Sequence, residues 1–126
     1  MSGMVVPGVV AEQRETDLLR GVLDTCVLAV LAVEPTHAYD VVDRLRAQGF
    51  SSVGYGTLYP LVTRLRSQGL LQQESRPSPS GPSRNVLSLT PTGHKALEDW
   101  RRRWERTVET VAKVMADLDR YEQHRG

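Results

Sequence analysis

Residues 56–71 read GTLYPLVTRLRSQGLL. Leu58, Leu61, Val62 and Leu65 recur at offsets of three and four, which predicts a short helix with one apolar face. Gly69 ends that helix and Leu70 opens a strand. Pro60 falls in the first turn or close to it, where a missing N–H costs little. The remaining positions carry Thr57, Tyr59, Thr63, Arg64 and Arg66. Hydroxyls and guanidinium groups are what a helix needs to meet phosphates and base edges in a DNA major groove.

Working outward, Val41, Val42 and Leu45 give a second helical stripe, closed by Gly49. Pro35 ends what comes before, and Thr36 is the expected N-cap. Phe50–Val53 reads as a connector or brief strand. LLRGVLDTCVLAVLAVE (18–34) predicts an earlier helix, beginning at Asp17. Its apolar residues, among them Leu18, Leu19, Leu23, Cys26, Val27 and Leu31, cover more than one stripe. One side then serves its own domain and the other a partner subunit.

Downstream, Leu70–Ser75 and Asn85–Leu89 pair as two short strands. The linker RPSPSGPSR (76–84) is rich in Pro, Ser and Gly and reads as a protruding flexible loop that adds no strand. Thr90 caps a last helix with Pro91 at its favoured first position. That helix runs to about Tyr121. Leu97, Trp100, Trp104, Val108 with Val111, Met115 and Leu118 recur along it every three or four residues, opposite a charged face. A partner chain is the simplest cover for so long a stripe.

The fold class is therefore mainly α, a winged helix-turn-helix with a two-stranded wing and a long C-terminal dimerisation helix. Residues 1–15 form a flexible N-terminal segment, 16–90 the winged domain and 91–126 the dimerisation helix. A chain of 126 residues with 40% hydrophobic content suits a small core shared in part between two copies.

Net charge is only +1, so overall basicity points to no partner; its distribution does. Residues 1–43 hold two Arg against seven acids, 44–84 six Arg against one Glu, and 85–126 eight Lys and Arg against seven acids. The basic third contains the opening helix and can steer it to a polyanion. No run of ~18 apolar residues predicts a membrane span, and MSGMVVPGVV is no secretory leader. The expected setting is that of a soluble intracellular protein. Lone Cys26 reads as a small buried hydrophobe. His37, His94 and His124 have no metal-ligand spacing. No phosphate-cradling Gly motif and no nucleophile with a base are present, so no enzyme and no cofactor are expected.

Each contact candidate has two readings. Thr57 positions phosphate or caps the helix; Tyr59 reaches DNA or packs on the second helix; Tyr55 and Thr63 offer hydroxyls beside them. Arg64 lies two turns above Thr57 and reaches DNA if Thr57 does. Arg66 is rotated away and reads as a solvated charge. Arg76 and Arg84 flank the wing loop, where an arginine can enter a minor groove. Trp100 and Trp104, four apart, either pack across a dimer or wall a site for an aromatic ligand.

These segments together resemble the PadR family of transcriptional regulators, in the short form with a single C-terminal helix. The resemblance runs from about Leu19 to Trp104. It rests on LRGVLDTCVLAVL (19–31), AYDV (38–41), GTLYPLVTRLRSQGLL (56–71), GPSR (81–84) and LTPTGHKAL (89–97). It implies a homodimer on a pseudo-palindromic operator in double-stranded DNA, a repressor, and release by a small hydrophobic or aromatic effector. It places the effector pocket at the dimer interface, with Trp104 as its matching Trp. Trp100, Val108, Val111, Leu23 and Val27 are assigned with Trp104 to that interface. Two departures stand out. The family's Gly-Tyr-Glu is Ala38-Tyr39-Asp40 here, and its Arg-Lys-Tyr-Tyr wing is Arg84-Asn85-Val86-Leu87, so wing contacts rest mainly on Arg76 and Arg84. The alternative function is a winged-helix protein–protein module without specific DNA binding.

Overall fold

The computed structural model describes residues 22–125. The order is α1 (Leu23–Val33), α2 (Ala38–Gln48), α3 (Tyr55–Ser67), β1 (Leu71–Ser78), β2 (Gly81–Leu89) and α4 (Pro91–Arg125). The expected N-terminal segment 1–15, and the helix start at Asp17 with Leu18 and Leu19, lie outside the described residues.

One core joins the first five elements. Val27, Leu28 and Leu31 of α1, Val41 and Leu45 of α2, and Leu58 and Leu65 of α3 are buried together with Leu71, Leu87 and Leu89 of the hairpin. Leu23 and Val27 belong to this core, at 4% and 0% exposure. That corrects their assignment to a dimer or effector surface. Helix α1 packs against α2, β2 and α4, and Leu23, Val27, Leu28 and Leu31 form the face that its own domain buries.

Local chemistry sets the helix ends. His37, not Thr36, caps α2: its Nδ1 accepts the Asp40 N–H at 3.3 Å. Thr36 instead exchanges two backbone hydrogen bonds with Leu87, of 2.7 and 3.2 Å. This single bridge ties the wing to the start of α2. Helix α2 ends at Gly49, whose φ of 124° suits glycine. The turn to α3 contains no strand; Arg46 Nη1 donates to the Val53 carbonyl at 3.0 Å and braces it. Gly54 is the N-cap of α3 and no side chain caps that end, which corrects the capping reading of Thr57. Pro60 is the sixth residue of α3, in its second turn. Its ring would press on the carbonyl four residues back, and that residue is Gly56.

The wing is longer than its composition suggests. Strands β1 and β2 pair antiparallel from Leu71↔Leu89 to Ser78↔Gly81, through most of the segment expected to be a loop. Pro77 falls where the register shifts, between Arg76 and Ser78. A bulge on a two-stranded ribbon accepts a residue without an N–H.

Thr90 locks α4 to the domain. Its Oγ1 accepts the Gly93 N–H at 2.9 Å and donates to the Gly69 carbonyl at 2.6 Å. Gly93 is buried so tightly that a Cβ there would stand 2.0 Å from the Leu70 carbonyl oxygen. Ala96, Leu97 and Trp100 then pack on the core. Beyond them α4 leaves the domain and runs to Arg125, past the end expected at Tyr121. Trp104, Val108, Val111, Val114, Met115, Leu118 and Tyr121 are between 45% and 62% exposed on it. Among the described residues no helix is long and apolar enough to cross a membrane.

Candidate nucleic-acid interface

At about 100° per residue, the buried side chains of α3 define its inner face and leave two flanks. Tyr55, Tyr59 and Arg66 fall on one flank. Thr57 and Arg64 fall on the other, and Gly56, Pro60, Thr63 and Ser67 lie outermost. The structure distinguishes the flanks by what each one meets.

The first flank meets α2 and the wing. A groove of about 450 Å³ is lined by His37, Ala38 and Tyr39 of the α2 start, Tyr55, Tyr59, Val62, Thr63 and Arg66 of α3, and Gln73, Arg84, Asn85 and Leu87 of the hairpin. Tyr39 and Tyr55 stack with ring centroids 4.3 Å apart and planes 9° apart. Tyr59 tilts against Tyr55 at 5.6 Å. The residue packing on α2 is thus Tyr55, while Tyr59 stays 56% exposed. The Thr63 hydroxyl donates to the Tyr59 carbonyl at 3.0 Å, leaving its lone pairs outward. Arg84 Nη1 stands 3.2 Å from His37 Nε2 at the groove edge.

The second flank meets α1. Arg64 Nη2 lies 2.6 and 2.7 Å from the two carboxylate oxygens of Asp24. The sequence reading paired Arg64 with the contact face and set Arg66 aside. The structure reverses their surroundings: Arg66 shares the groove with Tyr59, Thr63 and Arg84, and Arg64 is engaged by a carboxylate 40 residues earlier. Thr57 is exposed in the first turn, outside the groove. His37, Tyr39, Gln73 and Asn85 are polar groove residues that the sequence reading did not assign to DNA, and Arg66 is one it set aside. The AYDV segment contained Tyr39, but nothing in it signalled a stack with Tyr55.

On the wing, Arg76 and Arg84 stand directly opposite each other. Like charges in that position destabilise a hairpin unless an anion lies between or beside them. Arg76 reaches Glu74 at 3.4 Å, with both side chains more than half exposed, so the contact adds little.

A second concavity lies under α4. It encloses about 520 Å³ among Val22, Asp24, Thr25, Cys26, Phe50, Trp100, Arg103, Trp104 and Thr107. Trp100 and Trp104 line it. Leu23, Val27, Val108 and Val111 do not, and Asp24, Cys26 and Phe50 take their place. Burial pushes the Cys26 thiol above its ordinary pKa, so it forms a neutral wall. No group of His, Cys, Asp or Glu able to hold a metal occurs among the described residues.

Comparison with known proteins decides the family. Residues 27–99 match the model of the transcriptional regulator PadR-like family. The chain belongs to that family. It is similar to the transcriptional regulator Rv3488 of Mycobacterium tuberculosis, 35% identical over 85 residues, covering 68% of this chain and 78% of that protein. Solved structures agree. A PadR family regulator from Eggerthella lenta is 31% identical with a TM-score of 0.74, over 86% of this chain and 94% of its own. A PadR-like regulator from Bacillus cereus is 29% identical with the same TM-score, over 79% and 96%. As a PadR-like protein the chain is a DNA-binding transcriptional regulator, not an enzyme, and its hairpin and α3 are the wing and third helix of a winged helix-turn-helix.

Proposed function

We propose that this PadR-like protein represses transcription as a homodimer bound to a pseudo-palindromic operator. The observation that carries the reading is the groove. Tyr39, Tyr55, Tyr59, Thr63, Arg66 and Arg84 come from three elements and converge beside the exposed face of α3. Arg66 and Arg84 neutralise phosphates, and the tyrosine hydroxyls hydrogen-bond the backbone beside them. Thr57 meets phosphate at the uncapped, positive end of α3, and Arg76 follows the wing outward. Thr63, whose proton is already donated, accepts from an exocyclic amine of adenine or cytosine.

Pairing follows from the bare stripe of α4. Trp104 to Tyr121 presents seven half-exposed apolar side chains that stay open among the described residues, and a second copy buries them along the same stripe. The dimer sets two α3 helices about one turn of DNA apart. The concavity beside Trp100 and Trp104 receives a planar hydrophobic effector, which releases DNA by favouring a different spacing of the α3 pair. The protein acts in the cytoplasm.

Fluorescence anisotropy against the DNA upstream of the protein's own coding region, beside scrambled DNA of equal length at physiological salt, tests the reading. Preference for the natural DNA, steeply weakened by salt, is expected. Equal binding to both would transfer the groove to a protein partner instead.

A further inference from the structure

His37 has two neighbours that one neutral ring cannot satisfy together. Its Nδ1 accepts the Asp40 N–H at 3.3 Å and caps α2. Its Nε2 stands 3.2 Å from Arg84 Nη1 on the wing. An imidazole whose Nδ1 accepts carries its hydrogen on Nε2, and a guanidinium has only donors. Two donors therefore face each other at the groove edge. The other tautomer lets Nε2 accept from Arg84 but turns an N–H toward the Asp40 amide, and α2 loses its cap. A charged ring loses the cap as well and adds repulsion from the guanidinium. The backbone keeps the pair together: Thr36, beside His37, and Leu87, on the strand of Arg84, exchange hydrogen bonds of 2.7 and 3.2 Å. No carboxylate lines this groove among the described residues. Asp40, the acid on α2 that feels the His37 ring, is held by Arg44 Nε at 2.8 Å.

We propose that His37 is a phosphate-binding residue of this regulator, and that its Nε2–H and the Arg84 guanidinium grip one oxygen of a DNA backbone phosphate between them. The inference deepens the groove reading above and rests on it. A phosphate oxygen has the lone pairs that both donors lack. Two donors 3.2 Å apart can each reach it at about 2.8 Å with little movement of either side chain. The contact fixes the Nε2–H tautomer, so DNA binding and the α2 cap reinforce each other. It also separates His37 from the arginines of the groove, because the ring that caps α2 is a neutral donor. Arg84 neutralises the phosphate and releases its counterion. His37 orients the phosphate and releases none, so it fixes the position of the backbone against α2.

Asparagine is among the best N-caps, but its side chain stops short of the place of Nε2. His37→Asn therefore keeps the cap of α2 and deletes the donor. On DNA selected by the wild-type protein, anisotropy is expected to show His37→Asn binding about tenfold more weakly or worse, the loss for a hydrogen bond to a charged group. Its salt slope is expected to remain that of wild type. Arg84→Gln is expected to flatten the slope by about 1.8, for the two copies in a dimer. Long-range proton–nitrogen NMR spectra of the isotope-labelled full-length protein, with His37 assigned by its absence from the variant, read the tautomer directly. In the DNA complex the His37 ring is expected to carry its hydrogen on Nε2 alone. Thermal unfolding verifies that His37→Asn is folded; where it is not, the wild-type spectra carry the test. Unchanged affinity in His37→Asn, a flattened salt slope in it, or a hydrogen on Nδ1 in the complex overturns the His37 role. The groove reading then stands as long as Arg84→Gln and Arg66→Ala still flatten the slope. If neither does, both readings fall.

Discussion

Replacing Arg66 by alanine removes the guanidinium from the groove beside Tyr59, Thr63 and Arg84. The effect on DNA binding is set by counterion release. Each neutralised phosphate contributes about 0.9 to the slope of log affinity against log salt. Two copies of Arg66 in a dimer therefore contribute about 1.8. Between 50 and 200 mM salt, a fourfold change, wild type should lose about twelvefold more affinity than Arg66→Ala. The defect of the variant is accordingly largest at low salt and closes as salt rises. Arg64→Ala should behave differently. Its guanidinium is held by Asp24, and breaking a pair half open to water changes stability by about 1 kcal/mol at most. The salt slope should stay that of wild type, whatever small change the looser α3 brings. Anisotropy titrations at four salt concentrations, on DNA selected by the wild-type protein, separate the two cases. A flattened slope in Arg64→Ala with an unchanged slope in Arg66→Ala would place the DNA on the other flank of α3 and refute the reasoning.

Gly93→Ala forces a Cβ to within 2.0 Å of the Leu70 carbonyl oxygen, so it should cost about 1–3 kcal/mol or more; Gly56→Ala, with open space around its Cβ, should raise stability by about 0.5–1 kcal/mol, and the two midpoints in thermal unfolding should move apart. Val108→Asp with Val111→Asp should give a monomer in sedimentation velocity with unchanged helix content, and a dimer would show that another surface pairs the chains. The Arg44 hydrogen bond, then that of Thr36, holds the Asp40 carboxyl below its ordinary pKa. A depressed pKa stabilises the fold above the unfolded value of about 4 and loses that contribution as pH falls through the folded value. Wild type should therefore unfold at a higher temperature than Asp40→Asn near pH 7, and the difference should vanish in acid.

The element order was legible in the sequence because its signals are local. Leu58, Leu61, Val62 and Leu65 set the inner face of α3, and the same four are buried. Thr90 and Pro91 announced the start of α4, and Thr90 caps it. Misreadings arose where a contact is long-range. Thr36 looked like a cap because Ser and Thr usually are; its backbone was instead claimed by Leu87, 51 positions on in the chain. Leu23 and Val27 looked available to a partner because a helix with two apolar sides must bury both. Nothing local reveals that the side carrying Leu23 and Val27 is the one its own domain buries. The Pro-, Ser- and Gly-rich wing read as a flexible loop, but a two-stranded ribbon has outer edges where a missing N–H is harmless.

The exchange between Arg64 and Arg66 has a more general cause. Both stand roughly a quarter-turn or slightly more from the middle of the buried face of α3, on opposite sides. Periodicity alone places them as equals. Only the side on which α2 and the wing lie breaks the tie, and that is fixed by the path of the chain from Gly49 to Gly54, braced by Arg46 on Val53. Once α2 lies along the Tyr55 flank, stacking of Tyr39 on Tyr55 fills the space between the helices and carries Arg66 toward Arg84. The Arg64 flank then has α1 as its neighbour, and an unpaired arginine beside Asp24 would leave a largely shielded carboxylate without its counter-charge. The ion pair and the groove are thus two results of one packing choice. Any change that rotates α3 to bring Arg64 toward DNA must also break the Tyr39–Tyr55 stack, so a Tyr39→Ala variant should weaken DNA binding even though its ring lies on α2.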